Sequence, residues 1–398
     1  MHQKKYFKST IGIVLSSIPG YSETFFRNKI KGLQENGFEV VLFVDYINDS
    51  HEDFPCTIIS AADFSGGVFK TLFNSVLILI KTVFLYPKRS FKLYFLDKND
   101  AVPLKKRIKN LILNQFLLSR NLDWLHFGYG MLANNRENIA TAIGAKMAVS
   151  FRGFDLYLSP LKHKKCYKLL FSKDVKYHVL SKKMKEILKS YQIPESKIKT
   201  ITPAIDSEFF QVQENTNNDT VFNIITVARL HWVKGLDYTL EALSLLKKEG
   251  VNFKYTIIGD GIERERLIFA AHQFGITNNI TFAGKLSYKE VKKQLAQANI
   301  YMQYSIQEGF CNAALEAQAM GLLCVVSDAD GLIENVIDKK TGWVVPKRQP
   351  ELLKQKIKDV INMSNEDKQF IRQNAIIRVK REFNLKKQNA AFFNFYEQ

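Results

Sequence analysis

Two carboxylates and two cations carry the chemistry that this sequence suggests. In SIQEGFCNAALEAQAMG, residues 305–321, Glu308 precedes a Gly309-Phe310-Cys311-Asn312 turn, and Glu316 follows eight positions later inside the helix the turn should open. Eight helical residues rise at most ~12 Å at ~1.5 Å each, comparable to a diphosphate with a sugar on either side. A helix starting near Cys311 and Asn312 presents N–H groups and the positive end of its dipole, a seat for phosphate oxygens. Gly309 lets the backbone approach a ligand closely, because it has no side chain to collide with it. Glu308 and Glu316 can then accept hydrogen bonds from hydroxyls of two different sugars. The stretch VARLHWVKG adds Arg229 and Lys234, five residues apart in a loop on the same expected sheet edge as Glu308. A guanidinium fork and an ammonium point charge suit a diphosphate whose leaving-group charge must be neutralised. One such cation alone reads as surface charge at a strand end; the pair beside two glutamates reads as a ligand site.

Positioning these groups takes strands that deliver their loops to one edge. The texture of the chain is strand, loop, helix, in two series. TIGIVLSS leads into the loop IPGYSETFF, Ser22 is placed to cap a helix that Gly37 ends, and FEVVLFV is a second strand. AKMAVSF ends at the polar cluster RGFD, and KYHVLS precedes the helix KKMKEILKSY. Residues 211–219, QVQENTNND, lack apolar periodicity and form the expected linker. Beyond it FNIITVA, KYTIIG, NITFAG, IYMQYS and LCVVSD alternate with helices expected at 235–249, 262–274, 287–298 and 312–320. Such alternation gives parallel sheets covered on both faces. The expected fold class is α/β: two Rossmann-like, doubly wound domains facing across a cleft, with ligands beyond the carboxyl ends of the strands.

Size and charge set further limits. A chain of 398 residues suits two domains, and 46% hydrophobic with 24% charged residues marks a folded protein. Cys56, Cys166, Cys311 and Cys324 form no C-x-x-C pair, which points to neither a zinc site nor a disulfide framework and fits a reducing, cytoplasmic address. The apolar run Ile11–Leu15 behind Lys4, Lys5 and Lys8 is short for a signal peptide and reads as the first strand. Net charge is +18, and residues 66–122 hold eleven basic side chains against Asp97 and Asp100. The apolar runs VFKTLFNSVLILIKTVFLYP and IKNLILNQFLL are interleaved with them. Basic and bulky apolar residues at helical spacing read as helices on an anionic membrane surface, or as core helices with solvated lysines. No base-stacking aromatic module supports nucleic-acid binding.

The motifs VARLHWVKG, IIGDGIERERL, NITFAGKLSYKEV and EGFCNAALEAQAMGLLCVVSDADGLIENVIDKKTGWVVP resemble, in order and spacing, the donor domain of retaining glycosyltransferases of family 4, which have the GT-B fold. The resemblance covers nearly all of residues 220–385 and includes the family's E-x7-E signature. It implies Arg229 and Lys234 on the diphosphate of a nucleotide-sugar donor, Glu308 on the transferred sugar, and Glu316 on the ribose. Gly309, Phe310, Cys311 and Asn312 then lie along the phosphates, and Gly284, Lys285 and Leu286 by the base. IPGYSETFFRNKIKGLQENGFEV, DWLHFGYG and VSFRGFDLYL resemble N-terminal segments of the colanic-acid and exopolysaccharide glycosyltransferases in that family. These imply Gly20 in a loop facing the donor phosphates and His126 as a catalytic group near the transferred sugar, alongside Glu308, Arg229 and Lys234. Arg152 stands where many relatives have histidine before Gly-x-Asp, so Arg152 and Asp155 either touch the acceptor or brace the cleft.

The expected domains are 1–210 for acceptor, 220–380 for donor, and 381–398 as a C-terminal helix packing on the first domain through Phe392, Phe393, Phe395 and Tyr396. The expected reaction moves a hexose-type sugar, with retention, to a polyprenyl-diphosphate-linked oligosaccharide at the inner face of a membrane, in surface polysaccharide biosynthesis. No cofactor or metal is expected: the triplet Asp328-Ala329-Asp330 resembles the metal motif of the other glycosyltransferase fold, whereas GT-B enzymes use side chains and helix dipoles. GDG at 259–261 lacks the third glycine of a dinucleotide fingerprint. Two other classes compete. A nucleotide-sugar epimerase would form product without acceptor, and a non-catalytic polysaccharide-assembly protein would be expected to have lost the glutamate or the cation pair.

Overall fold

Strands whose side chains are buried on both faces sort the chain into two parallel sheets. The computed structural model describes residues 8–20, 24–47, 54–212 and 221–397. Contacts divide the chain into one unit of residues 1–201 with 389–398, and a second of 202–388. The division falls ahead of the linker expected at 211–219, of which 213–219 lie outside the described residues.

The first unit has β1 (Thr10–Leu15), β2 (Glu39–Val44), β3 (Thr57–Ser60), β4 (Trp124–Phe127), β5 (Lys146–Phe151), β6 (Val175–Val179) and β7 (Ile198–Thr200). They form one sheet in the order β3-β2-β1-β4-β5-β6-β7, every pair parallel. The order reverses between β1 and β4, the switch point where loops on the carboxyl edge part to opposite faces. Helix α1 (Thr24–Glu35) packs Phe26, Ile30 and Leu33 on the sheet, and Gly37, two residues past its end, turns the chain at φ 86°. The cap expected at Ser22 lies outside the described residues.

The basic stretch after β3 folds as α2 (Val68–Leu85), α3 (Pro87–Asn99) and α4 (Leu104–Leu113). Its two acids point inward. Asp97 accepts the Asn110 and Asn138 amides at 2.8 and 2.9 Å, and Asp100 pairs with Lys173 at 2.5 Å. The core-helix expectation describes the inner faces of α3 and α4, where Leu93 and Leu111 are buried. It does not describe α2, of which only Thr82 is buried.

At the chain's end, the helix Leu385–Glu397 carries Phe392, Phe395 and Tyr396 into the core of the first unit, beside Ile30, Phe38 and Trp124. Trp124 Nε1 donates to the Tyr396 carbonyl at 3.0 Å. Residues 381–382, expected in this helix, belong instead to the preceding one, Asn365–Glu382.

The second unit has β8 (Phe222–Val227), β9 (Phe253–Ile258), β10 (Ile280–Gly284), β11 (Ile300–Gln303), β12 (Leu323–Ser327) and β13 (Trp343–Val345). Their order is β10-β9-β8-β11-β12-β13, again parallel throughout. Leu240, Leu243, Tyr255, Ile257, Met302, Val325 and Ile357 are among its fully buried core. The switch point here lies between β8 and β11, so the loops that follow these two strands emerge side by side.

Candidate active site

Those two loops carry the cations and the first glutamate. The loop after β8 is stiffened before any ligand arrives. Leu230 N donates to the Asp260 carbonyl at 3.0 Å, and Ile306 N, from the loop after β11, donates to the Val233 carbonyl at 2.7 Å. Gly235 closes the loop in the left-handed region at φ 62°, and a Cβ there would lie 2.2 Å from the Tyr304 carbonyl oxygen. Only glycine fits that crossing without strain. GDG has a similar reason: a Cβ at Gly259 would meet the Ala228 carbonyl oxygen at 1.9 Å, so this glycine lets two loops cross.

The stiffened loop sets Lys234 Nζ 2.5 Å from Glu308 Oε2. Burial works against the ammonium, and the Glu308 carboxylate outweighs it, so Lys234 titrates above its ordinary 10.5. The same carboxylate oxygen ends a directed chain of hydrogen bonds. Tyr301 Oη donates to Gln303 Oε1 at 2.9 Å, Gln303 Nε2 to Ser305 Oγ at 2.8 Å, and Ser305 Oγ to Glu308 Oε2 at 3.2 Å. Because each donor in the chain is fixed by the one before it, the carboxylate is held as an acceptor. Arg229, by contrast, is exposed, and its side chain makes no hydrogen bond or ion pair among the described residues. Burial, with the Arg229 charge next, holds neighbouring His231 below its ordinary 6.5.

The turn into the helix Asn312–Ala319 is clamped by Asn335, which is fully buried. Its Oδ1 accepts the Cys311 N–H at 3.0 Å and its Nδ2 donates to the Cys311 carbonyl at 3.0 Å. Phe310 and Cys311 are buried, Phe310 against Phe383, so these two positions offer a ligand their backbone rather than their side chains. Gly309 is buried and Asn312 half-buried. Glu316 lies one helical stretch further on, 8% exposed, and no side chain among the described residues hydrogen-bonds or ion-pairs with it. Burial raises its carboxyl to about 7. Gly284 ends β10 at φ 68°, and Lys285 and Leu286 follow it on the same carboxyl edge, Lys285 exposed. Asp328 and Asp330 are engaged separately, Asp328 by the Lys347 N–H at 2.9 Å and Asp330 by the Gln307 amide at 3.2 Å. No cluster of His, Cys, Asp and Glu suited to a metal occurs among the described residues.

Sequence and structure comparisons bear on this arrangement. The family described as glycosyl transferases group 1 matches residues 207–376. These residues are a group 1 glycosyltransferase domain. Amylovoran biosynthesis glycosyltransferase AmsK of Erwinia amylovora is 26% identical over 84% of this chain and 86% of its own. The putative colanic acid biosynthesis glycosyltransferase WcaL of Escherichia coli K12 is 27% identical over 65% of this chain and 66% of its own. The crystal structure of Anabaena HepE in complex with UDP and glucose superposes with a TM-score of 0.72 at 14% identity, covering 98% of this chain and 99% of that one. That likeness shows the fold, which is GT-B.

In the first unit the expected site residues are placed as follows. His126, placed by resemblance near the transferred sugar, is fully buried with both ring nitrogens engaged. Its Nε2 lies 2.7 Å from Ser150 Oγ, and its Nδ1 lies 2.5 Å from Tyr396 Oη and 3.3 Å from Lys29 Nζ. Burial, with Lys29 beside it, holds His126 well below its ordinary 6.5. The structure places it in the core of the first unit. Of the two expectations for Asp155, the geometry favours the brace, because both carboxylate oxygens accept backbone N–H groups. Oδ1 accepts the Arg152 and Gly153 N–H groups at 2.8 and 3.0 Å, and Oδ2 the Gly130 N–H at 2.8 Å. Burial raises its pKa against those three donors. Arg152 stacks over Phe25, 3.3 Å from the ring centroid. Gly20 follows β1 on the carboxyl edge, with nothing within 4 Å of where its Cβ would be. Sequence reasoning missed Ser305, Gln303 and Asn335, which position Glu308 and the turn. Ser305 lies in the quoted motif, but nothing in its spacing separates a supporting hydroxyl from an ordinary loop residue.

Proposed function

We propose that the protein transfers a hexose-type sugar, with retention, from a nucleotide-diphosphate donor to a polyprenyl-diphosphate-linked oligosaccharide in exopolysaccharide biosynthesis. The observation that carries this reading is the meeting of Lys234 and Glu308 at the β8/β11 switch point, with solvated Arg229 in the same loop. The relatives named for amylovoran and colanic acid biosynthesis support the pathway class, and HepE with UDP and glucose supports the donor class.

In this reading Arg229 and Lys234 take the donor diphosphate, together with the backbone of Gly309–Asn312. Glu308 accepts hydroxyls of the transferred sugar, Glu316 those of the ribose, and the Gly284–Leu286 segment borders the base. The bond from the anomeric carbon to the phosphate oxygen breaks while the acceptor oxygen attacks from the same face. The departing oxygen takes the acceptor's proton, so no enzymatic nucleophile or metal is used. Charge developing on the diphosphate is what the two cations stabilise. The first unit takes the acceptor, and its basic stretch 66–122 holds the enzyme peripherally on an anionic membrane from the cytoplasmic side.

Calorimetry with UDP-, GDP- and ADP-hexoses tests the donor half. One nucleotide sugar should bind, and Arg229→Ala should weaken it. Silence across all of them, with no transfer to extracted lipid-linked glycans, overturns the reading.

A further inference from the structure

Helix α2 has a composition that its surroundings do not satisfy. Its 18 residues have a mean hydropathy of 1.8, and 6% of them are buried. At 3.6 residues per turn, Phe69, Phe73, Val76, Ile80 and Phe84 fall on one stripe. They are 91%, 64%, 51%, 61% and 82% exposed. Lys70 and Lys81, three turns apart, fall together along one border of that stripe, both exposed. Phe91 and Phe95 on α3 and Leu104 on α4 extend the exposed apolar surface, each more than half exposed. Lys88, Lys92, Lys105, Lys106 and Lys109 stand among them, exposed, while both acids of the stretch turn inward as described. An apolar patch of this kind, rimmed by one sign of charge, marks a docking surface rather than a solvated one.

The inner side of α2 is tied down. It packs on α3 and α4. The Thr82 carbonyl accepts both the Tyr86 N–H at 2.9 Å and the Ser90 hydroxyl at 3.2 Å. Crossing a bilayer would strip these contacts away; lying along its surface keeps them. An exposed apolar stripe bordered by lysines that can reach outward suits the boundary between acyl chains and anionic headgroups.

We propose that α2 inserts lengthwise into the outer few ångströms of an anionic phospholipid bilayer, with Phe69, Phe73, Val76, Ile80 and Phe84 among the acyl chains and Lys70 and Lys81 at the phosphates. This deepens the membrane reading above and rests on it. It differs from attraction by a basic patch alone in one consequence. Electrostatic attraction is screened within ~3 Å at ~1 M salt, whereas burial of the stripe is not.

The test is flotation of the full chain with phosphatidylglycerol/phosphatidylcholine vesicles that contain no polyprenyl lipid, at low salt and at ~1 M salt. The wild type should float at both, less at high salt. Phe73→Glu/Ile80→Glu should bind about tenfold more weakly at low salt and stay behind at high salt. A Phe84→Trp variant should shift its emission to the blue on vesicles and be quenched by lipids brominated on the acyl chains. UDP-sugar binding unchanged in both variants would show that they fold, and it keeps the donor reading separate: losing that binding in the wild type sinks the donor reading, not this one. The proposal is overturned if wild-type binding vanishes at high salt, if the Phe84→Trp emission stays put, or if the double variant floats like the wild type. It is equally overturned if binding requires added polyprenyl phosphate, or if the stripe proves to be a contact between two copies, seen as a dimer that Phe73→Glu/Ile80→Glu dissociates.

Discussion

Lys234 and Glu308, 74 positions apart in sequence, form an ion pair of 2.5 Å whose side chains are 19% and 11% exposed. Two groups proposed to grip different parts of one ligand therefore hold each other. Removing one partner of a fully buried pair costs about 3–5 kcal/mol, because the other charge is stranded. Partial exposure and the Ser305 hydroxyl soften that here to about 1–3 kcal/mol. Lys234→Ala should thus lower the melting temperature clearly, and Arg229→Ala, which breaks no pairing, should barely move it. Each should slow transfer by about a hundredfold or more. Adding Glu308→Gln to Lys234→Ala should restore part of the stability and none of the activity. A double-mutant cycle by thermal denaturation reads the coupling, and additive effects would mean the pair is not energetically linked.

Glu316 gives the donor site a pH dependence. Its carboxyl titrates at about 7 because it is buried. Ribose hydroxyls donate best to the ionised form, so nucleotide affinity should fall as pH drops below about 7, by at most about tenfold per unit. Near pH 6.5 binding should release a proton, which calorimetry in buffers of different ionisation enthalpy detects. Stability of the free protein should run the other way. The folded carboxyl binds its proton more tightly than the unfolded one, so between about 4.5 and 7 this group's contribution shrinks as pH rises. Glu316→Gln should flatten both slopes.

The second unit was more legible in sequence than the first, for physical reasons. Its strands are apolar runs between helices with clear starts, such as the capping box at Ser287 and Glu290, and its helices at Leu236–Lys248 and Asn312–Ala319 fall where periodicity placed them. Strands of three residues, β7 and β13, are too short to show a pattern. The Glu308 and Lys234 roles could be argued from charge and spacing, but their contact could not, since strand order alone brings residues 234 and 308 together. His126 reads as a ligand in the sequence because it is a histidine near a strand's carboxyl end, before two glycines. Alternation along β4 turns it inward, where its partners come from α1, β5 and the last helix. Local sequence carries no trace of neighbours 97 and 270 residues away.

Gly235 offers a test of whether loop geometry, rather than charge alone, sets the donor site. Alanine there adds left-handed strain of about 1–2 kcal/mol and drives a methyl against the Tyr304 carbonyl oxygen. Gly250 has a similar φ, 80° against 62°, but open space around its Cβ position. Gly250→Ala should therefore lose a little stability and no donor affinity. Gly235→Ala should lose more stability and, by displacing Lys234, weaken UDP binding. Equal UDP affinity in the two variants would rule out the positioning role.

Acid should loosen the first unit through its buried histidines. His178 Nε2 lies 3.0 Å from the Ile201 carbonyl and must donate to it, so its Nδ1 accepts the Ser150 hydroxyl at 2.8 Å. Ser150 Oγ in turn accepts from His126 Nε2, leaving His126 Nδ1 to accept from Tyr396 and Lys29. Every link requires both rings to be neutral, and burial, with the Lys29 amine and Arg152 nearby, holds both below their ordinary 6.5. Burial, with Arg152 next, likewise lowers Lys29 well below its ordinary 10.5, and no carboxylate among the described residues compensates. Because the unfolded chain binds protons that the folded one refuses, stability should fall as pH drops below 6.5. The two histidines together contribute a slope of up to about 2.7 kcal/mol per pH unit. Tyr396→Phe removes one donor to His126 and should cost about 1 kcal/mol at neutral pH. His126→Gln should lower the melting temperature and flatten the acid slope by about half. With correctly folded protein, its donor affinity should match the wild type, since the ring is fully buried among protein partners. A His126→Gln enzyme that folds and binds donor normally but no longer transfers sugar would return this histidine to the reaction.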